Sequence, residues 1–185
     1  MSEKKRYWIV MLIAIGLNIG MKQVTYYGNL PFFLECTGTV LAAAVLEPAA
    51  GLLAGLVENF MLAALWNGPA SILYFTISAS YALIYGLVLK KGGRMRWKYL
   101  PLTMFLTILA VTVSDAGITY LMDGPVLERW EGIYQMTGLA AGMGVFGSYL
   151  FGIAAIQTFD VIATTALFAL IYFLLPKQLT NRRKP

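Results

Sequence analysis

Histidine is absent from this sequence, and cysteine occurs once, at Cys36. A single thiol permits no disulfide within the chain and no thiolate metal cluster, and Cys36 reads as a small buried hydrophobe. No Gly-rich phosphate loop and no nucleophile elbow occurs, and the two deep aspartates, in "TVSDAG" and "QTFDVI", lack the "GxGD" setting of an intramembrane protease. The sequence therefore predicts no enzyme and no cofactor. Charge is scarce as well: 12% of the 185 residues are charged, against roughly 25% in soluble domains. What replaces charge is apolar surface, at 59% of residues and a mean hydropathy of +0.70, in long blocks and not in alternation. Blocks of about 18 apolar residues read as membrane helices.

Six hydrophobic segments follow, at residues 7–21, 32–46, 49–66, 71–89, 99–120 and 150–175. The expected fold is thus an all-α integral membrane protein, one domain over 1–185, with six transmembrane helices. The opening "MSEKKRYWIVMLIAIG" reads as an uncleaved first helix, because no small-residue cleavage site follows it. Twelve of the fourteen basic residues fall near the N-terminus, in the loop after the fourth segment, or near the C-terminus. Six spans place all three clusters on one side, and the positive-inside rule makes that side the cytoplasm, with both termini on it. The expected location is a prokaryotic cell membrane. The outer stretch 121–149, opening with "MDGPVLERWEG", reads as an interfacial helix, a lid, or a plain connector.

Charges inside hydrocarbon cost about 2.5–3.5 kcal/mol each on insertion scales, so an intramembrane carboxylate is a functional candidate. Glu35, Glu58, Asp115 and Asp160 qualify, and the expected topology puts all four in the outer half or at the midplane. Glu35, in "NLPFFLECTGT", would sit at the rim as a helix cap, a partner of Lys22, or part of a site. Tyr74, Ser78, Tyr81 and Tyr85 share one helix face, either as packing or as a stacking wall. Gln157, Asp160 and Thr164 share another, and Thr112, Asp115 and Thr119 a third. Asn59 follows Glu58 at about 100° around its helix, and Trp130 is a second aromatic candidate. The small pairs Gly16/Gly20 and Gly51/Gly55 read as seams for close helix packing.

The stretch "NLPFFLECTGTVLAAAVLEPAAGLLAGLVENF", with the span count and the long last outer loop, resembles the substrate-binding S components of energy-coupling factor (ECF) vitamin transporters. The resemblance covers most of the chain. It implies capture of a small vitamin-like solute in the outer half, and uptake powered by a transmembrane coupling subunit and two ATPase partners. In that family the first helix carries an AxxxA pair that docks on the coupling subunit. The matching stretch here, "IAIGLNIG", keeps Ala14 but has Asn18 four residues on, with Gly16 and Gly20 as the nearest small pair. An acidic outer cavity favours a cationic solute of thiamine or aminopyrimidine type. Rival readings are a stand-alone ion-coupled transporter and a membrane sensor module.

Overall fold

A computed structural model describes residues 2–91 and 94–180. The chain is helical apart from a two-residue antiparallel ladder, β1 (Lys90–Lys91) with β2 (Arg94–Met95). Five helical stretches are long and apolar enough to cross a membrane: Glu3–Tyr27, Pro48–Trp66, Pro69–Leu89, Trp97–Asp123 and Val145–Leu174. Their outward faces carry Leu12, Phe60, Leu87, Phe105 and Val113, the last 74% exposed. So large an exposed apolar area suits lipid and would not suit water.

Helix α1 (Glu3–Tyr27) starts where the Ser2 hydroxyl accepts from Lys5 N. Helix α3 (Pro48–Leu62) starts on a proline, whose missing N–H costs nothing in a first turn, and ends in one π-helical turn, Ala63–Asn67. After a left-handed Gly68, a 3-10 segment (Pro69–Tyr74) leads into α4 (Phe75–Ile84) and a second π turn, Tyr85–Leu89. Helices α5 (Leu100–Asp123), α6 (Arg129–Ala140), α7 (Val145–Leu174) and the short α8 (Lys177–Thr180) complete the chain.

The second hydrophobic segment departs from expectation. Instead of a helix over 32–46 it is irregular up to Cys36 and helical only in α2, Thr37–Val45. Nine residues rise about 14 Å, under half of a ~30 Å hydrocarbon core. Every residue of α2 is buried, and both of its ends are closed by side chains from other elements. At the start, the Asn18 carbonyl of α1 accepts from Gly38 N at 2.7 Å and Thr39 N at 3.1 Å, while its amide donates to Thr39 Oγ1. At the finish, Arg6 donates to Val45 O at 3.0 Å, and the Lys90 ammonium to Leu46 O. Burial pushes the Lys90 ammonium below its usual value; nearby Arg6 adds to that and Glu47 opposes it. Arg6 also donates to Leu179 O at 2.9 Å, so the beginning of α1, the end of α2 and α8 meet at one end of the bundle. Arg182, Arg183 and Lys184 of the C-terminal basic cluster lie outside the described residues.

Close approach of α1 and α2 depends on Gly38, where a Cβ would fall 1.8 Å from Ala14 O. Gly51 and Gly55 form the expected seam: a Cβ on either would meet Ala43 or Ser78 at under 3 Å. Gly16 and Gly20 have open space beside them and form no seam among the described residues. Gly38→Ala forces two backbones apart, so it should destabilise the protein by about 3 kcal/mol or more. Gly16→Ala meets open space and should raise stability by up to about 1 kcal/mol through helix propensity, both read by denaturant-titrated unfolding in mixed micelles.

Candidate functional site

At the end of the bundle opposite Arg6 and Leu179 lies a cavity of about 580 Å³. Its walls come from Lys22 of α1, the irregular stretch Phe33, Glu35 and Cys36, Asn59 and Leu62 of α3, and Ser71, Tyr74 and Ile77. Asp115 and Thr119 of α5, and Ile153, Gln157 and Asp160 of α7, complete the deep part, while Asp123 at the end of α5, Val126 to Arg129 and Glu131 stand at its mouth. Six carboxylates thus face the cavity against two cations, Lys22 and Arg129. Among the described residues no group of three or more His, Cys, Asp or Glu could hold a metal ion.

Asp160 is the structural hinge of this region. Its Oδ1 accepts from Phe33 N and Leu34 N, both at 2.8 Å, and its Oδ2 accepts from the Tyr81 hydroxyl at 2.8 Å. Irregular backbone inside a helical bundle is tolerated only when the protein itself satisfies its polar groups, and this carboxylate does so. It also holds Leu34 in a left-handed conformation, φ 57, which a leucine adopts only under outside constraint. Beside it Thr25 donates to Phe33 O at 2.9 Å, and Thr37 to Leu34 O at 2.8 Å.

Asp115 is held differently. Its Oδ1 accepts from Thr119 at 3.1 Å and its Oδ2 from Gln157 Nε2 at 2.7 Å. Tyr74 and Thr119 share a hydroxyl hydrogen bond at 3.3 Å, so α4, α5 and α7 are joined along one wall. Glu35 pairs with Lys22, which realises one of the roles open to it in the sequence.

Of the sequence candidates, Glu35, Asn59, Tyr74, Asp115, Gln157 and Asp160 line the cavity. Glu58, Ser78 and Tyr81 are buried but are not among its lining residues. Asn59 donates to Gly55 O, Glu58 Oε2 and Ser78 Oγ, and Glu58 Oε1 has no partner among the described residues. Tyr81 and Tyr85 stack in the core, so of the tyrosine stripe Tyr74 alone reaches the cavity. Trp130 borders a separate cleft of about 60 Å³ and donates to Asn29 O at 3.1 Å. Ala14 and Asn18, expected on a docking face, point inward against α2 and are fully buried, because Asn18 is needed there as a cap. Gly16 and Gly20 stay on the open side of α1.

Two contributions escaped the sequence. Cys36 lines the cavity as well as being buried, and the mouth is built by 126–131, from the stretch for which lid and connector both stood open. That stretch is ordered by Gln135, which accepts from Leu127 N at 2.9 Å and donates to Pro125 O at 2.7 Å. It lies close on α7 at Gly152, where a Cβ would come within 2.7 Å of Glu131 O. Burial pushes the Glu131 carboxyl above its usual range, against the pull of Arg129 and Lys22. The "ERWE" charges at 128–131 were the available signal.

Comparisons with known protein families, with curated proteins and with solved structures returned no match.

Asp160→Ala leaves two buried backbone amides without an acceptor, at about 1–3 kcal/mol each, so a stability loss of about 4 kcal/mol is expected. Asp160→Asn keeps one carbonyl for those amides and should lose less than half as much. Unfolding midpoints, together with hydrogen exchange at Phe33 and Leu34, would measure both.

Proposed function

We propose that this chain is the solute-capture subunit of an ECF-type importer, taking a small, cationic, vitamin-like molecule into the cavity described above. The observation that carries the proposal is a cavity of about 580 Å³ with six carboxylates against two cations. That volume suits a small organic molecule, and the excess of acids favours a positive charge and draws cations toward the mouth. Tyr74, Phe33, Leu62, Ile77 and Ile153 supply apolar surface for its body.

In this proposal the chain crosses the cell membrane six times, with α2 and its irregular lead-in as the sixth crossing. The contacts of Arg6 with Val45 and Leu179 support it, since they bring the start of α1 and α8 to the same end of the bundle. The positive-inside rule makes that end cytoplasmic and leaves the cavity facing out. Energy for uptake comes from partners, a transmembrane coupling subunit and two ATPases. Docking through Ala14 and Asn18 is closed, because both are buried, so the open Gly16/Gly20 side of α1 is the alternative face. The cavity also fits a thiamine- or aminopyrimidine-like solute better than a carboxylate-bearing one.

A second reading, ion-coupled transport by the chain alone, draws on Glu58, a buried carboxyl with one oxygen lacking a partner. Expression of the tagged chain in a prokaryote, followed by purification, separates the two. The capture reading expects three partner polypeptides and a retained small cation in native mass spectrometry. Uptake by the isolated chain in proteoliposomes under a proton or sodium gradient would instead support the second reading and sink the first.

A further inference from the structure

Six carboxylates face the cavity, and their surroundings differ enough to separate them. We propose, building on the capture reading above, that the solute's positive charge is received by Asp115 together with Gln157, and that it is carried on a group bearing N–H donors. Asp160 is the more heavily used by the chain: two backbone amides fill its Oδ1 and the Tyr81 hydroxyl holds its Oδ2, so its charge already meets three donors where that of Asp115 meets two. Glu35 is neutralised by Lys22, so a cation arriving there must first displace another. Asp123 and Glu128 are exposed at the mouth, where water screens their charge, and Glu131, half-buried beside them, already lies in the field of both cavity cations, Arg129 and Lys22.

Asp115 combines burial with an unspent charge. It is 6% exposed, and no Lys or Arg pairs with it among the described residues. Its partners are the neutral donors Gln157 and Thr119, one on each oxygen. A carboxylate oxygen accepts more than one hydrogen bond, so both retain capacity. Gln157 supplies the independent indication of a ligand. Its side chain is 1% exposed and lines the cavity, and its Oε1 has no partner among the described residues. The bond from Nε2 to Asp115 fixes which way the amide lies, since a carboxylate takes only a donor.

The wall therefore offers acceptors and withholds donors. A buried acceptor left unmade is costly, and an arriving N–H removes that cost while meeting the negative charge in a site of low dielectric. Beside it stands the Tyr74 ring, positioned through its hydroxyl contact with Thr119. The matching solute is a protonated amine or amidinium on a flat apolar body. A quaternary ammonium has the charge without the N–H, and a carboxylate has the wrong charge.

Three probes test this on the full purified chain: benzamidinium, benzyltrimethylammonium and benzoate, each titrated calorimetrically at fixed salt. Benzamidinium should bind about tenfold or more tightly than benzyltrimethylammonium, and Asp115→Asn should weaken it about tenfold or more. Gln157→Met, close in size and lacking the amide, should also weaken benzamidinium while leaving benzyltrimethylammonium within about twofold. Equal binding of the two cations to the native chain overturns the N–H subsite and leaves the capture reading standing. That comparison needs no variant, so it holds even if Asp115→Asn fails to fold. Binding of benzoate alone overturns both the subsite and the cationic capture reading.

Discussion

One carboxylate organises the cavity end of the molecule. Asp160 accepts the amides of Phe33 and Leu34 and so allows the chain to run irregularly where a helix would otherwise satisfy its own backbone. That break is what makes the cavity. A helix with its side chains is about 10–12 Å across, and a single irregular strand is thinner. Where a full helix would fill that end of the bundle, the chain instead leaves a space that Phe33, Glu35 and Cys36 border. The opposite half is filled by α2, a helix so short that its ends are held by Asn18, Arg6 and Lys90 from other elements.

The same division governs the charges. Acids that serve the fold have their oxygens taken by the chain, as Asp160 does, or by a cation, as Glu35 does. Asp115 sits among neutral donors in a wall shared by α4, α5 and α7. Position along a helix does not distinguish these cases, since Asp115, Gln157 and Asp160 are all buried and all border the same space.

Five of the six hydrophobic segments were legible in sequence, because hydropathy over a local window is all that a lipid-facing helix requires. The Gly51/Gly55 seam was legible for a similar reason: its spacing lies within one helix. The second segment was not, because its apolar run of 32–46 is long enough for a helix and the group that interrupts it lies 126 residues away, at Asp160. Asn18 misled in the same way. Its place beside Ala14 suggested an outward docking pair, while its function is to cap α2, 20 residues on. The tyrosine stripe spans a 3-10 segment, α4 and a π turn, and depth divides it: Tyr74 reaches the cavity, and Tyr81 is turned to Asp160 in the core.

The separation between Asp160 and the amides it receives has a consequence for biogenesis. Residues 33 and 34 leave the ribosome about 126 residues before their acceptor exists. Until α7 is made, those amides need water or the translocation machinery as partners, because lipid offers none. The nine-residue α2 is likewise too short to hold a membrane position by itself. The cavity end of the second segment therefore reaches its final place only after α7 enters, so the cavity is assembled with the arrival of α7.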